Sequence, residues 1–570
     1  MYNFKIDKIT VNTIEGIKDI VPKKINILVG PNNSGKSRFL KELRNYLSGD
    51  NRDMKIINMI EHLFPKNFDE IDATYNVTSK MVQDQYGNWM LNTYSNKPTQ
   101  VLDMSAPLEN YFTRNMNVIN GNWREHYSGI IDRKSSDEFF QWYGSLFYQY
   151  MGTEERLTIC KTQKNYGLDS SSTNYLSSFK YQDELLNDLS YRTKQLFDID
   201  IFLDTQTLGD RLVFRVANDL EYIKNTISYS KDNAFRLFSE STLDDQGDGL
   251  KSFVSTFLSL NQKENNLLLI DEPEAFLHPP LARQLGEMIA DSGNREQIIF
   301  VATHSVEILK GILSKSQDVN VIRITREKDC ENNIMLLEQQ ILNSIITNPL
   351  LRVSRVLEGI FCEKVIITEA EADELVYQEL CEKIFPESGL FFAHGQNKQT
   401  LALIADMYQK IGVGYEIVTD FDALRVSSEF YKFLSLMPMD ERKRQKIKDY
   451  AEKLREQINE SVCVEEMSEK EAEEARKEKR NCVYNKMGIR FFEDDLQCKI
   501  RDTFKILSEY HLHILETGEL ETLLEEYNVP YKEKNLWVVD AITKIAELDR
   551  EEIRSESTLY QFISRIVGNN

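Results

Sequence analysis

KINILVGPNNSGKSRFLKEL, residues 24–43, decides the fold of the first part of this chain. Its opening, KINILV, is an apolar run of strand length, and its close places apolar residues at helical spacing. Between them lies Gly30-Pro31-Asn32-Asn33-Ser34-Gly35-Lys36-Ser37. Strand, GxxxxGKS and helix in that order make a phosphate cradle. The glycines let backbone N–H groups wrap an anion at a helix N-terminus, where the peptide dipoles favour negative charge. Lys36 is expected to neutralise the β- and γ-phosphates of a nucleotide, and the Ser37 hydroxyl to ligate Mg²⁺.

Moving outward, NLLLI (266–270) is a second apolar run, ending in Asp271-Glu272-Pro273-Glu274. An acidic pair at the end of a buried strand is costly unless it holds a cation. Asp271 is expected to hold Mg²⁺ through water, and Glu272 to polarise an attacking water. A third run, QIIFVAT (297–303), leads to His304, which can hydrogen-bond a γ-phosphate. The stretch between 50 and about 235 is rich in Tyr, Asn, Ser and Asp, with a helical pattern at 180–197. It carries no motif and reads as a large insertion.

The second half repeats strands that end in acids. KVII (364–367) leads to Thr368-Glu369-Ala370-Glu371-Ala372-Asp373, then a helical pattern. YEIV (415–418) leads to Asp420-Phe421-Asp422. Period-2 alternation puts Asp420 and Asp422 on one face of an extended chain, so both can point at one cation. Glu369, ending a neighbouring parallel strand, would face the same crevice, and carboxylates converging there call for Mg²⁺ or Mn²⁺. The stretch 439–480 alternates Glu with Lys and Arg and reads as exposed helices.

At 570 residues the chain exceeds one hydrophobic core. Two domains are expected: 1–345, with the insertion at about 50–235, and 346–570, with a charged helical insertion at about 426–490. The seven cysteines stand singly and no HExxH occurs, which argues against zinc and for a hard cation on carboxylates. The net charge of −22 disfavours a broad nucleic-acid-binding surface and leaves room for a partner that delivers the substrate. The absence of a long apolar run or a secretory leader pattern sets a cytoplasmic expectation with no membrane.

GPNNSGKS, DEPEAFLHP and ATHS resemble the Walker A, Walker B and switch-histidine segments of ABC ATPases of the SMC and repair type. Gly247 and Gly249, ahead of a helical pattern, stand where that group carries its signature helix. The resemblance implies an α/β P-loop head that sandwiches ATP between two copies, hence a homo-oligomer. The second half resembles a Toprim domain. The combination is similar to the OLD family (overcoming lysogenisation defect) of ATPase–nucleases, which includes the Gabija nuclease subunit. This likeness maps the Toprim Glu-Gly-x-x-Asp onto Glu369, Ala370 and Asp373, with alanine in the glycine position. It sets Gly395-Gln396-Asn397-Lys398 against a Gly/Lys-bearing loop, and Glu516–Glu521 against an element whose last residue, Glu521, is a further metal ligand. Glu371 joins the expected ligands, and a late lysine, Lys534 or Lys544, is expected at the scissile phosphate.

The function implied is ATP-gated, Mg²⁺/Mn²⁺-dependent cleavage of DNA in antiviral defence. The partner implied is a helicase-like protein or a retron reverse transcriptase with its nucleic acid. The alternative is a nucleotide-gated sensor or scaffold that binds through an inactive Toprim domain. A topoisomerase would need an attacking tyrosine from a further domain.

Overall fold

The computed structural model describes residues 2–83, 89–91, 122–165, 175–220, 230–262, 266–291, 297–327, 332–337, 341, 355–396, 398–461, 469–529, 534–553, 555 and 557–568. The chain forms two compact units, Met1–Leu336 and Leu337–Asn570.

The first unit is built on a six-stranded sheet. Its strands are β1 (Ile25–Val29), β2 (Tyr148–Met151), β3 (Leu267–Asp271), β4 (Ile298–Ala302), β5 (Val319–Arg326) and β6 (Asn332–Leu336), in the spatial order β6-β5-β1-β4-β3-β2. All pairs are parallel except the β5–β6 hairpin. Every residue of β1 and β4 is buried, because both faces of the sheet are covered. That is why these strands read as uninterrupted apolar runs. Helix α1 (Lys36–Tyr46) packs Phe39, Leu40 and Leu43 into one core with Leu28, Leu269 and Phe300. The in-register parallel pairing brings the ends of β1, β4 and β3 to one edge of the sheet. The phosphate loop, His304 and Asp271 therefore share that edge.

The 50–235 stretch contains the expected helix, at Asp183–Phe197, but it is not helical throughout. Its Ile57–His62 strand pairs with Ile6–Thr13, its Asp200–Asp204 strand pairs with Arg211–Ala217, and it supplies β2 to the central sheet. Part of the expected insertion is thus woven into the core of the first unit itself.

The second unit holds a four-stranded, wholly parallel sheet: β7 (Lys364–Thr368), β8 (Phe391–His394), β9 (Gly414–Thr419) and β10 (Leu512–Ile514), in the order β8-β7-β9-β10. Helices α2 (Glu371–Ile384) and α3 (Lys398–Lys410) follow β7 and β8. A core of Ile366, Val418, Tyr377, Leu380, Trp537 and Phe562 fills one side. The charged stretch forms α4 (Glu441–Glu460) and α5 (Glu469–Cys482). Among the described residues, no helix is long and apolar enough to cross a membrane.

Candidate functional sites

In the first unit the loop after β1 is shaped by its glycines. Gly30 adopts φ 139° and lies against the Ile324 carbonyl, where a Cβ would collide with backbone. Gly35, at φ 106°, precedes the first turn of α1. Asn33 is also left-handed, and Asn32 beside it is exposed. Lys36 is 3% exposed, and its Nζ donates to the Gly30 and Pro31 carbonyls at 2.8 Å each. Burial drives its ammonium down to about 8 against the pull of Glu272, Glu274 and Asp271. The Ser34 hydroxyl is buried without a partner. A cradle with a desolvated cation and an unused donor suits a phosphate chain.

The acidic wall faces this loop. Ser37 donates to Asp271 Oδ1 at 2.8 Å, and Tyr150 donates to Asp271 Oδ2 at 3.2 Å. His304 Nε2 lies 3.6 Å from Glu272 Oε1, and burial lowers the His304 pKa. Glu274 accepts from the Thr303 hydroxyl at 2.8 Å and the His304 amide at 2.6 Å, so it shapes the loop between strand and histidine.

Two residues here had no sequence signal. Tyr150 is one. The other is Arg156, fully buried, which donates to Ser252 Oγ (3.1 Å), Met151 O (3.2 Å), Glu272 O (2.7 Å) and the Asp271 carbonyl. It ties the turn carrying Glu272, itself left-handed at φ 51°, to the helix Asp248–Leu260. Gly247 and Gly249 stand at the start of that helix. A Cβ on Gly249 would press on the Phe276 carbonyl at 2.8 Å, whereas Gly247 faces open space.

In the second unit Glu369, Asp420 and Asp422 converge, each offering an oxygen within 4.8 Å of the others. Glu369 follows β7 and accepts from the Asp420 amide at 3.3 Å. Lys398, the first residue of α3, sits among them: its Nζ contacts Asp422 and lies 3.5 Å from Glu369. Burial, then repulsion from Asp422 and Asp373 against the pull of Lys398, pushes Glu369 up to about 7. Burial followed by Glu369, Asp373, Asp422 and Glu521 raises Asp420 well above the carboxylate range. Asp422 Oδ1 is buried with no partner. Three crowded carboxylates, one lysine and an unused oxygen fit a divalent cation held by oxygen ligands.

The other expected ligands divide. Asp373 is buried and accepts from the Ala370 amide at 3.1 Å, so it caps the strand-to-helix turn. Ala370 sits there at φ −133°, a conformation that needs no glycine. Glu521 is buried and contributes to the field on Asp420. Glu371 is exposed in the first turn of α2, outside the converging group. Lys544 pairs with Glu547 at 3.7 Å on the helix Lys534–Glu547 and is not among the groups in contact with the carboxylates. Among the described residues, the lysine in contact with the carboxylates is Lys398. Asn397 and the side chain of Lys534 lie outside the described residues.

Residues 162–310 match a family model described as "AAA domain, putative AbiEii toxin, Type IV TA system". That span includes Asp271, Glu272 and His304. The chain is 24% identical over 177 residues to the Old nuclease of Escherichia phage P2, which is 29% of each protein. It therefore spans under a third of that relative's length. It is 30% identical over 95 residues to the uncharacterized protein MJECL11 of Methanocaldococcus jannaschii, covering 83% of that protein and 16% of this chain, and belongs to the same family. Two solved structures align with this chain: the SmcHead bound to the C-winged helix domain of ScpA, and the SMC head domain from Thermotoga maritima. They cover 58% and 59% of this chain and 97% and 99% of their own, at TM-scores of 0.31 and 0.30 and identities of 11% and 12%. The chain carries a P-loop ATPase fold and is related in sequence to Old nuclease.

Proposed function

We propose that the chain is an ATP-binding, divalent-cation-dependent nuclease of the OLD type, with a P-loop ATPase unit and a Toprim unit. The observation that carries the reading is the convergence of Glu369, Asp420 and Asp422 with Lys398 at the C-terminal ends of parallel strands. Asp420, Asp422 and Glu369 would hold Mg²⁺ or Mn²⁺, which when bound lowers the pKa of water and stabilises charge on a phosphodiester. Glu369, with a pKa near neutrality, can take a proton from water at Oε1 or Oε2. The Lys398 ammonium can meet a non-bridging phosphate oxygen as it gains charge. In the first unit, Lys36 and the loop amides would bind nucleotide phosphates, Ser37 and Asp271 would hold Mg²⁺, and Glu272 with His304 would orient water at the γ-phosphate.

DNA as the substrate, pairing of ATPase heads between copies, gating by nucleotide and a role in antiviral defence with a second component complete the proposal. They rest on the OLD resemblance. The test is cleavage of supercoiled plasmid with Mg²⁺ or Mn²⁺, with and without ATP, in wild type and Asp420→Ala. Nicking or linearisation lost in the variant is the expected result. Equal cleavage by both proteins would overturn the reading.

The seat of Lys398 favours a second reading, a nucleotide-gated scaffold whose second unit binds without cutting. There the lysine would stand permanently in place of the cation. Mn²⁺ binding that disappears in Asp420→Asn excludes this second reading.

A further inference from the structure

We propose that α4 clamps the turn carrying Asp420 and Asp422, and that Arg455 is the positioning residue of that clamp. The inference rests on the cation-site reading above and adds the element that holds the site in shape.

Little within the turn itself fixes Asp422. Phe421–Leu424 is a single 3-10 turn, and Asp422 Oδ1 is buried with no partner. Lys398 contacts the other Asp422 oxygen, and the restraint on the turn's backbone comes from α4. Arg455 is 8% exposed, and its Nε donates to the Leu424 carbonyl at 2.5 Å. Its Nη1 lies 2.9 Å from Glu452 Oε1. Glu452 in turn accepts from Ser427 Oγ at 3.0 Å and Tyr431 OH at 2.5 Å, both on the helix Ser427–Leu436 that follows the turn. The Arg455 guanidinium also lies 5.8 Å from the Tyr431 ring centroid. A path of hydrogen bonds joined by one ion pair therefore runs from Tyr431 through Glu452 and Arg455 to a carbonyl two residues past Asp422.

A buried guanidinium is an expensive way to fill space, and an apolar side chain would pack at lower cost. Both Arg455 Nη atoms are buried without a hydrogen bond, so Nε makes the directed bond of this guanidinium. What the arginine supplies is a directed bond to the turn. The far end of the insertion grips the same turn. The Tyr484 ring lies 6.1 Å from that of Phe421, and the Asn485 carbonyl accepts from the Glu519 amide at 3.0 Å and Thr522 Oγ1 at 3.3 Å. The Phe421 amide donates to Gly518 O at 2.9 Å. Val483–Met487 is a π-helical turn, a distortion that often marks functional positions. Both ends of the insertion thus bear on the segment between Asp420 and Leu424.

The test uses the full chain with Arg455→Met and Arg455→Lys. Three quantities are read: amide exchange of the peptide 419–426, Mn²⁺ affinity by electron paramagnetic resonance, and plasmid cleavage as a function of Mn²⁺. Arg455→Met is expected to speed exchange in that peptide and to weaken Mn²⁺ binding roughly tenfold or more, as for residues that orient metal ligands. Cleavage should partly return at high Mn²⁺. Arg455→Lys keeps a donor, and its recovery of part of the lost affinity separates positioning from bulk packing. If Arg455→Met does not fold, Arg455→Lys and Tyr431→Phe provide the same comparison. A folded variant with wild-type exchange and wild-type Mn²⁺ affinity overturns the proposal. If wild type binds no Mn²⁺ through Asp420, the cation reading falls, and exchange at 419–426 alone decides the clamp.

Discussion

Ser37 donates its hydroxyl to Asp271 Oδ1 at 2.8 Å across 234 residues of sequence. The bond joins the phosphate loop to the acidic strand end. It pre-sets the two groups expected to share Mg²⁺, whereas Lys36 serves the phosphates directly. Lys36→Ala should weaken nucleotide binding by roughly 1.5–3 kcal/mol, tenfold or more, with or without Mg²⁺. Ser37→Ala should weaken it only when Mg²⁺ is present. Titration of a fluorescent ATP analogue in Mg²⁺ and in EDTA separates the two, and equal loss in both buffers for Ser37→Ala would refute its assignment.

Arg156 satisfies three backbone carbonyls beside the acidic turn. Arg156→Met removes these bonds and leaves the Glu272 carbonyl only the Ala275 amide, at a cost of roughly 1–3 kcal/mol in urea unfolding. Because two of those carbonyls belong to Asp271 and Glu272, ATP turnover should fall further than ATP affinity. Unchanged turnover in a folded variant would reduce Arg156 to a packing role.

Asp420 is half-buried and repelled by four other carboxylates, Glu369, Asp373, Asp422 and Glu521. Asp420→Asn should therefore stabilise the metal-free protein, by roughly 1 kcal/mol. Mn²⁺ should raise the melting temperature of wild type and leave that of the variant unmoved. A variant less stable than wild type in EDTA would contradict this account of the site's electrostatics.

Lys398 and Lys544 can be told apart by cleavage. Lys398→Met is expected to lower plasmid nicking roughly a hundredfold, the scale of losing a preorganised charge at a reacting group. Lys544→Ala should leave it unchanged. The reverse ranking would restore the late lysine to the chemistry.

Glu416 gives the second unit an acid-sensitive brace. Burial works against its ionisation, but bonds from His511 and His513 and the charge of Lys364 outweigh it and hold the carboxyl at about 2. A depressed folded-state pKa contributes stability above the ordinary value and loses it as pH falls toward the folded one. Wild type should therefore exceed Glu416→Gln by roughly 2–3 kcal/mol at pH 6 and lose most of that margin between about pH 4.5 and 2. A margin independent of pH would point to packing instead.

What the sequence made legible follows from how each contact is encoded. The strands ending at Gly30, Asp271 and His304 are covered on both faces, so they appear as apolar runs with abrupt polar ends. Asp420 and Asp422 are two positions apart after a strand, so alternation alone aims them together. Tyr150 and Arg156 were hidden because strand pairing, not spacing, brings them to Asp271. Lys398 was visible only as part of a loop, and its approach to Asp422 depends on where α3 begins. Arg455 was one cation among many in a charged helix, and its burial is a property of the fold around it.

The neighbours of β1 in the central sheet are β4 and β5, which begin at Ile298 and Val319. During synthesis the phosphate-loop strand leaves the ribosome with neither of its edges paired. At ~5–20 residues per second it waits on the order of tens of seconds for them. Throughout that interval an apolar strand with two open edges is exposed to aggregation. The first unit should thus need shelter by a chaperone early in translation, and a nascent chain stalled before residue 298 should be protease-sensitive at its phosphate loop.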